Sequence, residues 1–549
     1  MTEGEKRIAG KEETMRTLGR ATLALLLLST VASCDSSEKK SVADVGDVAA
    51  DERNSADVSA PTSCFGAEPA AVVGPLPWRA PGTSNSSFIE EHCPISPWAR
   101  PSSLATLPSG GLAVAGSLHM CCTDTAGSAL TGYDATGTPL WTAHDVHGRW
   151  GGTALAGKYA WVADWNGGLI AGRSQSKGMM LAGLFASGKE EWTVDSEQMG
   201  LPWRLMPVGG DVSDQFRLLA EHSSDSDSGV KKHWLGLVRI GPGGVLAGHV
   251  ELPGVEGVAL SWRETGEDIE VIASATSRFD ALPSKGWNID EGMTADIRFV
   301  RLGWDGTVKL STEIGEWSTQ PEVGQVWAYA SAVEPEGSGW LIVVESHTFV
   351  PDEEQIRYSL VRLDGDGKKV WEGEVEHETL GIGFPGFGLR AAWLRPDATL
   401  SAWTTPTMNG QVGDAPARAE VRLADDGTVV EVTPALTDPT GSGKPWQVEQ
   451  VLQLPDGFLA VGEVPEGDEQ TFTCCGMNLD TVAARYRFDG SVVWAKAYGI
   501  AGRDEVAGLL RTGEDLTLLV MREAGETVCD GVYSHPLGPV VLRFHGVCE

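Results

Sequence analysis

The sequence predicts an all-β protein: a single eight-bladed β-propeller after a disordered N-terminal tether, with seven blades as the alternative. Three observations predict this fold. A glycine turn recurs at intervals of about sixty residues. The composition, with 68 glycines and 20 tryptophans among 549 residues, suits many turns and layers of aromatic packing. The cysteines of the predicted domain stand only near the two ends of the chain, as expected where a ring closes.

The recurring turn combines an aspartate, a glycine and a tryptophan, and its first copy contains Asp134, Gly137 and Trp141. The glycine permits the tight turn, the aspartate accepts backbone hydrogen bonds, and the indole fills the space between units. Further copies contain Gly188 with Trp192, Gly367 with Trp371, and Asp489 and Gly490 with Trp494. Weaker copies stand at Gly244, Gly306 and Gly427, with a degenerate one at Gly546.

Each unit begins with a hairpin signal, in which apolar residues alternate on both sides of a turn. Residues 104–116 and 451–462 are the clearest examples, and others begin near Thr153, Arg204, Val258, Ala328, Arg390 and Leu509. A further strand leads into the glycine turn, as at residues 297–302, 358–363, 421–423 and 484–488. Four strands with their loops fill such a unit, which predicts a propeller blade. A solenoid is the alternative, although its units are usually shorter.

The last unit ends at Glu549 after its third strand, so one strand is missing. Residues 65–100 precede the first hairpin and are available to supply it. Pairing of this kind would close the ring and remove an exposed sheet edge. We therefore expect the propeller to span residues 65–549, with closure between its N-terminal segment and the last blade.

The N-terminus predicts export and lipidation. Arg16 and Arg20 precede a short apolar run, and small residues follow it, as in a secretory signal. Met15 is the expected start, and residues 1–33 the signal peptide. The run ends in Val31-Ala-Ser-Cys34, which resembles the lipobox of bacterial lipoproteins, so we expect Cys34 to be lipidated. An ordinary signal peptide cleaved nearby is the alternative.

Residues 34–64 predict a disordered acidic linker, because after Cys34 they contain no aromatic residue and are rich in Asp, Ser and Ala. A lipidated cysteine followed by such a linker would tether the propeller to a membrane. The expected location is the bacterial cell envelope, on the periplasmic or the cell-surface side.

The remaining cysteines are candidates for disulfides, because their number is even and the chain is predicted to be exported. They are Cys64, Cys93, Cys121, Cys122, Cys474, Cys475, Cys529 and Cys548. In a closed ring they would cluster in the first and last two blades and reinforce the seam. The pairing is open, since eight cysteines permit 105 connectivities. Vicinal disulfides at the two Cys-Cys pairs are an alternative.

The formal net charge of −34 argues against nucleic acid or an anionic lipid surface as a partner, because the protein would repel phosphates. The expected partners are the membrane, through the lipid anchor, and a protein or a glycan of unknown identity. The protein is expected to be a monomer.

The turn and its tryptophan resemble the repeat of quinoprotein-like propellers, also called the PQQ-like repeat. Asp134, Thr136, Gly137 and Trp141 match its residue types, and the copies at Gly188, Gly367 and Gly490 match in part. The resemblance implies that each tryptophan docks against the adjoining blade. It also implies the alternative function of a quinone- or calcium-dependent oxidoreductase with its site at the ring axis.

A second resemblance is to the propeller lipoprotein of the outer-membrane β-barrel assembly machinery. It rests on the lipobox at Cys34 and on the predicted eight blades. What it implies is a second alternative, a non-catalytic envelope assembly factor.

Other motifs add no predicted chemistry. His144 and His147 are interpreted as surface histidines, and the Asp- and Ser-rich residues 223–229 and 364–367 as solvated turns. Residues 440–444 do not complete a P-loop, and no nucleophile elbow or zinc-protease motif occurs. We therefore predict no catalytic residues, no metal and no cofactor. The predicted function is a membrane-anchored, non-catalytic binding or scaffold module.

Overall fold

The computed structural model describes residues 71–73, 98–120, 123–145, 158–175, 178–196, 204–210, 214–225, 231–256, 258–266, 268–276, 294–318, 324–335, 337–350, 353–376, 389–404, 419–433, 436–444, 446–454, 456–465, 479–498, 504–512, 515–523 and 536–544. All of them belong to one compact unit. Apart from a 3₁₀ turn at Pro242–Gly244, the regular structure in these ranges is β-strand.

The strands follow one another in sets of four, numbered here in chain order. Set 1 is β2 (Trp98–Thr106), β3 (Leu112–Met120), β4 (Thr123–Tyr133) and β5 (Pro139–Asp145); set 2 is β6 (Lys158–Trp165), β7 (Gly168–Gln175), β8 (Gly178–Phe185) and β9 (Glu190–Asp195). Set 3 is β10 (Arg204–Gly210), β11 (Phe216–Asp225), β12 (Lys231–Gly241) and β13 (Val245–Glu256); set 4 is β14 (Val258–Thr265), β15 (Asp268–Thr276), β16 (Thr294–Gly303) and β17 (Val308–Ser318).

The second half of the chain repeats this order. Set 5 is β18 (Gly324–Glu334), β19 (Trp340–Val350), β20 (Glu353–Leu363) and β21 (Lys369–Glu376); set 6 is β22 (Leu389–Leu394), β23 (Leu400–Thr404), β24 (Ala419–Leu423) and β25 (Val429–Thr433). Set 7 is β26 (Gln447–Leu454), β27 (Gly457–Pro465), β28 (Leu479–Arg487) and β29 (Val492–Tyr498). Set 8 is β30 (Asp504–Thr512), β31 (Asp515–Glu523), β32 (Pro536–Phe544) and, from the start of the described chain, β1 (Ala71–Val73).

Within each set the neighbouring strands pair antiparallel, and in set 8 Val72 pairs with Leu542. Sets 5 and 6 are joined into one eight-stranded sheet, because β18 pairs parallel with β22 at Val333 and Glu334. The described strands therefore form eight sets but seven sheets, and the blade number given by the sequence stays a prediction.

The inner strands are buried on both faces, since their alternating side chains enter two different apolar clusters. In β3, Ala113 and Ala115 pack toward set 2, whereas Leu112 and Val114 pack toward set 8. A strand of this kind has to be apolar throughout. The hairpin signals of the sequence are such strands.

The sets form a closed ring. Each pair of neighbouring sets shares a buried apolar cluster, from sets 1 and 2 round to sets 8 and 1. At the last junction Leu104 and Val114 of set 1 meet Val541 of set 8. The predicted all-β propeller fold is confirmed. The hairpin of set 2 begins at Lys158, whereas Thr153 and Gly546 lie outside the described residues.

Candidate functional site

The glycine turn joins the third and fourth strands of a set. In set 1, Oδ1 of Asp134 accepts the backbone N–H groups of Thr136 and Thr138, both at 2.8 Å. Gly137 has a φ of 84°, and its N–H donates to the carbonyl of Asp134 at 3.0 Å. Aspartates of four later turns accept backbone N–H groups in the same way: Asp305, Asp364, Asp426 and Asp489.

Because the strands of a set run antiparallel in sequence order, the turn between its first two strands lies at the same end as the glycine turn. We call this end of the sets the turn face. Hydrogen bonds from Thr136 and Thr138 lower the pKa of Asp134. Equivalent bonds lower the pKa of other aspartates on the turn face, namely Asp305, Asp397, Asp426 and Asp489. These five aspartates, whose pKa values lie below the usual carboxyl range, are ionised at neutral pH.

The tryptophans of the fourth strands contact the following set. The indoles of sets 1, 2 and 5 lie against the turn glycines of sets 2, 3 and 6, so closely that a methyl group on the glycine would overlap the ring. The pairs are Trp141 with Gly188, Trp192 with Gly244, and Trp371 with Gly427. Trp141 also donates from Nε1 to the carbonyl of Ala186 at 2.9 Å. These contacts hold each turn against the preceding set.

Sets 3, 4 and 6 carry Gly248, Leu310 and Glu431 where sets 1, 2, 5 and 7 carry tryptophan. In each of these sets an arginine donates to a carbonyl in the glycine turn of the next set. The pairs are Arg217 with Trp304, Arg301 with Gly365, and Arg395 with Asp489. Arginine thus replaces the indole at these junctions, and a charged hydrogen bond replaces the aromatic contact. We call both kinds of contact junction contacts.

The third strands of several sets carry an arginine at the same position. This position pairs with the fourth-strand position that holds tryptophan in sets 1, 2, 5 and 7, as Arg485 pairs with Trp494. In sets 3 to 7 these arginines are Arg239, Arg301, Arg362, Arg422 and Arg485. Sets 1 and 2 have Gly132 and Gly183 there, and the indoles of Trp141 and Trp192 cover them. We call these five residues the arginine row. They were not predicted from the sequence, although an arginine among the last three residues of the third strand, before the glycine turn, is a usable signal.

The row connects the two turns of a set. Arg422 pairs with Asp397 and Arg485 with Asp456, and both carboxylates belong to the turn between the first two strands. Burial lowers the pKa of Arg485, and the paired Asp456 opposes this effect. Only 4 % of the Arg485 side chain is exposed, whereas 57 % of the Asp456 side chain is, so the pair reaches from the buried strand to the surface.

The densest part of the row surrounds Glu270, whose side chain is 3 % exposed. Nε of Arg263 donates to Oε2 at 2.8 Å, Nη2 of Arg301 donates to Oε1 at 2.8 Å, and Nε1 of Trp340 donates to Oε2 at 3.1 Å. The guanidinium of Arg263 also lies 5.1 Å from the centre of the Trp340 ring. This carboxylate joins set 4, which supplies both arginines, to set 5, which supplies the tryptophan.

Three further buried glutamates occupy one position of the second strand, away from the turn face, in sets 3, 5 and 7: Glu221, Glu345 and Glu463. Glu221 accepts the N–H of Ala259 at 3.2 Å, and Glu463 accepts the N–H of Val506 at 3.0 Å. Both N–H groups come from the first strand of the next set, immediately before a β-bulge. A bulge interrupts the ladder, and the carboxylate satisfies the N–H beside it.

The structure places six of the predicted turn glycines against the preceding set: Gly188, Gly244, Gly306, Gly367, Gly427 and Gly490. Asp134 and Gly137 are shown bonded within their own turn. Gly546, the expected partner turn of Trp494, is outside the described residues. Trp494 is buried in the cluster between sets 7 and 8. The lipidation candidate Cys34 and all eight disulfide candidates lie outside the described residues. His144 is described only as part of a strand, and His147 is not described.

The described ranges contain no group of three or more His, Cys, Asp and Glu residues placed to hold a metal ion. In the same ranges, no helix has the length and apolar character needed to cross a bilayer.

No protein-family model and no curated protein matches the chain. Among solved structures it is similar to the polysaccharide lyase Uly1, with 10% identity over 88% of this chain and 95% of that chain and a TM-score of 0.37. It is similar to an apocarotenoid oxygenase of Synechocystis, with 10% identity over 70% and 86% and a TM-score of 0.32. It is also similar to a prolyl endopeptidase, with 13% identity over 78% and 54% and a TM-score of 0.35. At these sequence identities and TM-scores, the activities and ligands of those proteins are not assigned to this chain.

Proposed function

We propose that the protein is a membrane-anchored, non-catalytic propeller that serves as a binding or scaffold module. The proposal rests on one observation: the buried glutamates bond groups of the neighbouring set. Glu221 and Glu463 accept backbone N–H groups of the next set, and Glu270 joins sets 4 and 5. Catalytic acids and bases exchange protons with a substrate, whereas these carboxylates are engaged in holding the ring together.

The turn face is the surface we propose for the partner. Its aspartates, including Asp134 and Asp426, are ionised at neutral pH as exposed carboxyl groups are. Backbone and threonine donors lower their pKa further. Rows of fixed carboxylates attract cationic groups and raise the rate of encounter with them. Of the two partner classes, this charge favours a protein with lysine and arginine at its contact surface over an uncharged glycan.

The anchor is tested by substitution of Cys34. We expect Cys34→Ala to move the protein from the membrane fraction to the soluble fraction, because the acyl chains would be lost. Cys548→Ala is the matched control and is expected to stay with the membrane. Unchanged membrane retention of Cys34→Ala would overturn the anchor.

The non-catalytic role is tested by reconstitution of the purified protein with quinone and calcium. We expect no stoichiometric quinone absorbance and no reduction of an electron-accepting dye. Stoichiometric binding together with dye reduction would replace the scaffold by the oxidoreductase. The partner itself is sought by crosslinking at the turn face, with Asp134→Lys and Asp426→Lys expected to reduce capture.

A further inference from the structure

The fourth strands of sets 1 to 7 each contain a β-bulge beside the glycine turn. In set 5, Leu363 pairs with Lys369 and Arg362 pairs with Trp371, so Val370 between them is the extra residue. The other six sets have an extra residue at the same place: Leu140, Glu191, Ala247, Lys309, Val430 and Val493. We call these seven positions the bulge residues. A bulge re-aims a side chain, so the repeat displays one residue at each of these turns.

The bulge residues differ in chemistry from set to set. Sets 2 and 4 carry Glu191 and Lys309, and charged side chains keep an exposed edge strand from pairing with another chain. Sets 1, 5 and 6 carry Leu140, Val370 and Val430, which are 50 %, 54 % and 54 % exposed. An exposed aliphatic side chain neither protects a strand edge nor adds to a core. Folding of the ring therefore does not account for these three residues.

Exposed apolar residues are concentrated at this one end of the sets. Within the described ranges, every large apolar residue that is exposed lies within three residues of a turn glycine. These residues are Leu140, Phe185, Val245, Val370, Val430 and Val492. Single exposed apolar residues are ordinary on any protein surface, but their restriction to one face indicates a contact surface.

Sets 5 and 6 place two aliphatic bulge residues on turns that touch. Trp371, next to Val370, lies against Gly427, and Val430 follows Gly427 by three residues. The two sets also belong to one sheet, so the two turns are held by the same backbone ladder. We call Val370 and Val430 the docking strip.

The surroundings of the docking strip are acidic. Residues 364–374 contain four carboxylates and two lysines, and residues 424–433 contain three carboxylates and no basic residue. The side chains of Asp366 and Glu431 are 89 % and 62 % exposed. Their arginine neighbours are 3.6 and 3.7 Å away, and exposed pairs at such distances contribute little. Both carboxylates thus stay accessible to a cationic partner.

We propose that the docking strip binds a protein segment that combines apolar side chains with lysine or arginine. The apolar side chains would cover Val370 and Val430, and the basic ones would pair with the surrounding carboxylates. A second copy of this chain would bring carboxylates against carboxylates, and anionic lipids would be repelled for the same reason. This inference rests on the proposed scaffold function and names the chemistry of its partner.

The chemistry is tested with fluorescent synthetic peptides and the full-length Cys34→Ala protein, which is expected to need no detergent. A peptide of alternating leucine and lysine is expected to bind at physiological ionic strength, as measured by fluorescence anisotropy. A peptide of alternating serine and lysine is expected to bind about tenfold more weakly, and one of leucine and glutamate not at all. Equal binding of the two lysine peptides would overturn the docking strip and leave the scaffold function standing.

The place of binding is tested by single substitutions in the same background. Val370→Ser and Val430→Ser are each expected to weaken binding of the leucine–lysine peptide about fivefold. Val245→Ser is the matched control, because Val245 is exposed beside a glycine turn but is not a bulge residue, and it is expected to bind with unchanged affinity. Equal losses in all three variants would contradict the docking strip. The unfolding temperature is expected to stay the same, since all three side chains are exposed.

Hydrogen exchange without any substitution in the strip covers the case in which a variant does not fold. The leucine–lysine peptide is expected to protect amide protons of β21 and β25 and to leave those of β13 unchanged. No protection in β21 and β25 would refute the site. Self-association, or sedimentation with neutral lipid vesicles, that Val370→Ser abolishes would also overturn the proposal, because it would assign the strip to a second copy or to a bilayer.

Discussion

At the scale of single residues, turn glycines fall into two classes that the sequence does not separate. Gly188 and Gly110 both have positive φ values, of 75° and 78°. A side chain at Gly188 would overlap the indole of Trp141, whereas a side chain at Gly110 would meet nothing within 4 Å. Glycine is therefore required at position 188 both by the positive φ and by the contact with Trp141, and at position 110 by the positive φ alone.

Gly188→Ala is expected to destabilise the protein more than the matched Gly110→Ala. Both changes place alanine in the left-handed region, at a cost of about 1–2 kcal/mol. Overlap with Trp141 adds about 1–3 kcal/mol at Gly188 alone. Urea unfolding at pH 7 measures the difference, and equal losses in the two variants would contradict the contact.

The capping aspartates predict acid sensitivity. Their pKa values in the folded state are lowered, so their contribution to stability is fully present above the unfolded pKa of about 3.9 and is lost as pH falls through the folded values. The free energy of unfolding is therefore expected to decrease below about pH 5. Asp134→Asn removes one titrating group and is expected to flatten this decrease. Urea unfolding from pH 7 to pH 3 measures the slope, and a slope equal to that of the wild type would argue against the cap.

Residue patterns explain which parts of the site could be predicted. The pairing of Gly188 with Trp141 follows from a repeated motif, because several copies contain both a turn glycine and a tryptophan. Arg217, Arg301 and Arg395 come from different positions of their sets, so no single sequence spacing predicts them. Their common role is visible only when the turn of the next set is in place.

At the scale of elements, neighbouring sets are joined by two physically different junction contacts. Indoles such as Trp141 and Trp371 bury apolar surface against a glycine, and this contribution is not weakened by the charge screening of added salt. Arginines such as Arg301 and Arg395 donate charged hydrogen bonds to carbonyls. Every one of these contacts is made at the glycine turn of the next set, but some are apolar packing and others are charged hydrogen bonds.

Arg395→Met is expected to destabilise the protein by about 1.5–3 kcal/mol, the range for hydrogen bonds to charged groups. Arg395 bonds Asp489 of set 7 as well as Ser401 and Glu420 of its own set. Arg298→Met is the control, since Arg298 makes longer contacts with Asp296 and Glu313 near the surface. Its loss is expected to cost at most about 1 kcal/mol. Thermal or urea unfolding compares the two, and similar losses would count against the junction contact.

At the scale of the whole molecule, three residues from the start of the described chain complete the last set. Val72→Pro removes a backbone N–H from the β1–β32 pairing, whereas Val72→Ala keeps it. The proline variant is expected to unfold at lower temperature and to be cleaved faster by proteases near the seam. If both variants behave alike, this pairing contributes little to closure.

The fold was more predictable than the site for a physical reason. Alternating apolar strands and turn glycines such as Gly137 form structure within one unit, so the same sequence pattern recurs in each copy of the repeat. The partners of Glu270 come from two sets, and the N–H groups capped by Glu221 and Glu463 belong to a neighbouring set. Unlike the repeated contacts of tryptophan with a turn glycine, these polar contacts between units leave no periodic trace in the sequence.

The parallel pairing of β18 with β22 has a consequence for local opening. Its backbone pairing at Val333 and Glu334 joins sets 5 and 6 directly, whereas no other two neighbouring sets share a sheet among the described strands. Amide protons throughout sets 5 and 6 should therefore exchange with deuterium as one cooperative block, while those of the other sets exchange set by set. Sets 5 and 6 would then unfold locally as one cooperative unit of eight strands, and set 8, where the ring closes, would unfold locally without them.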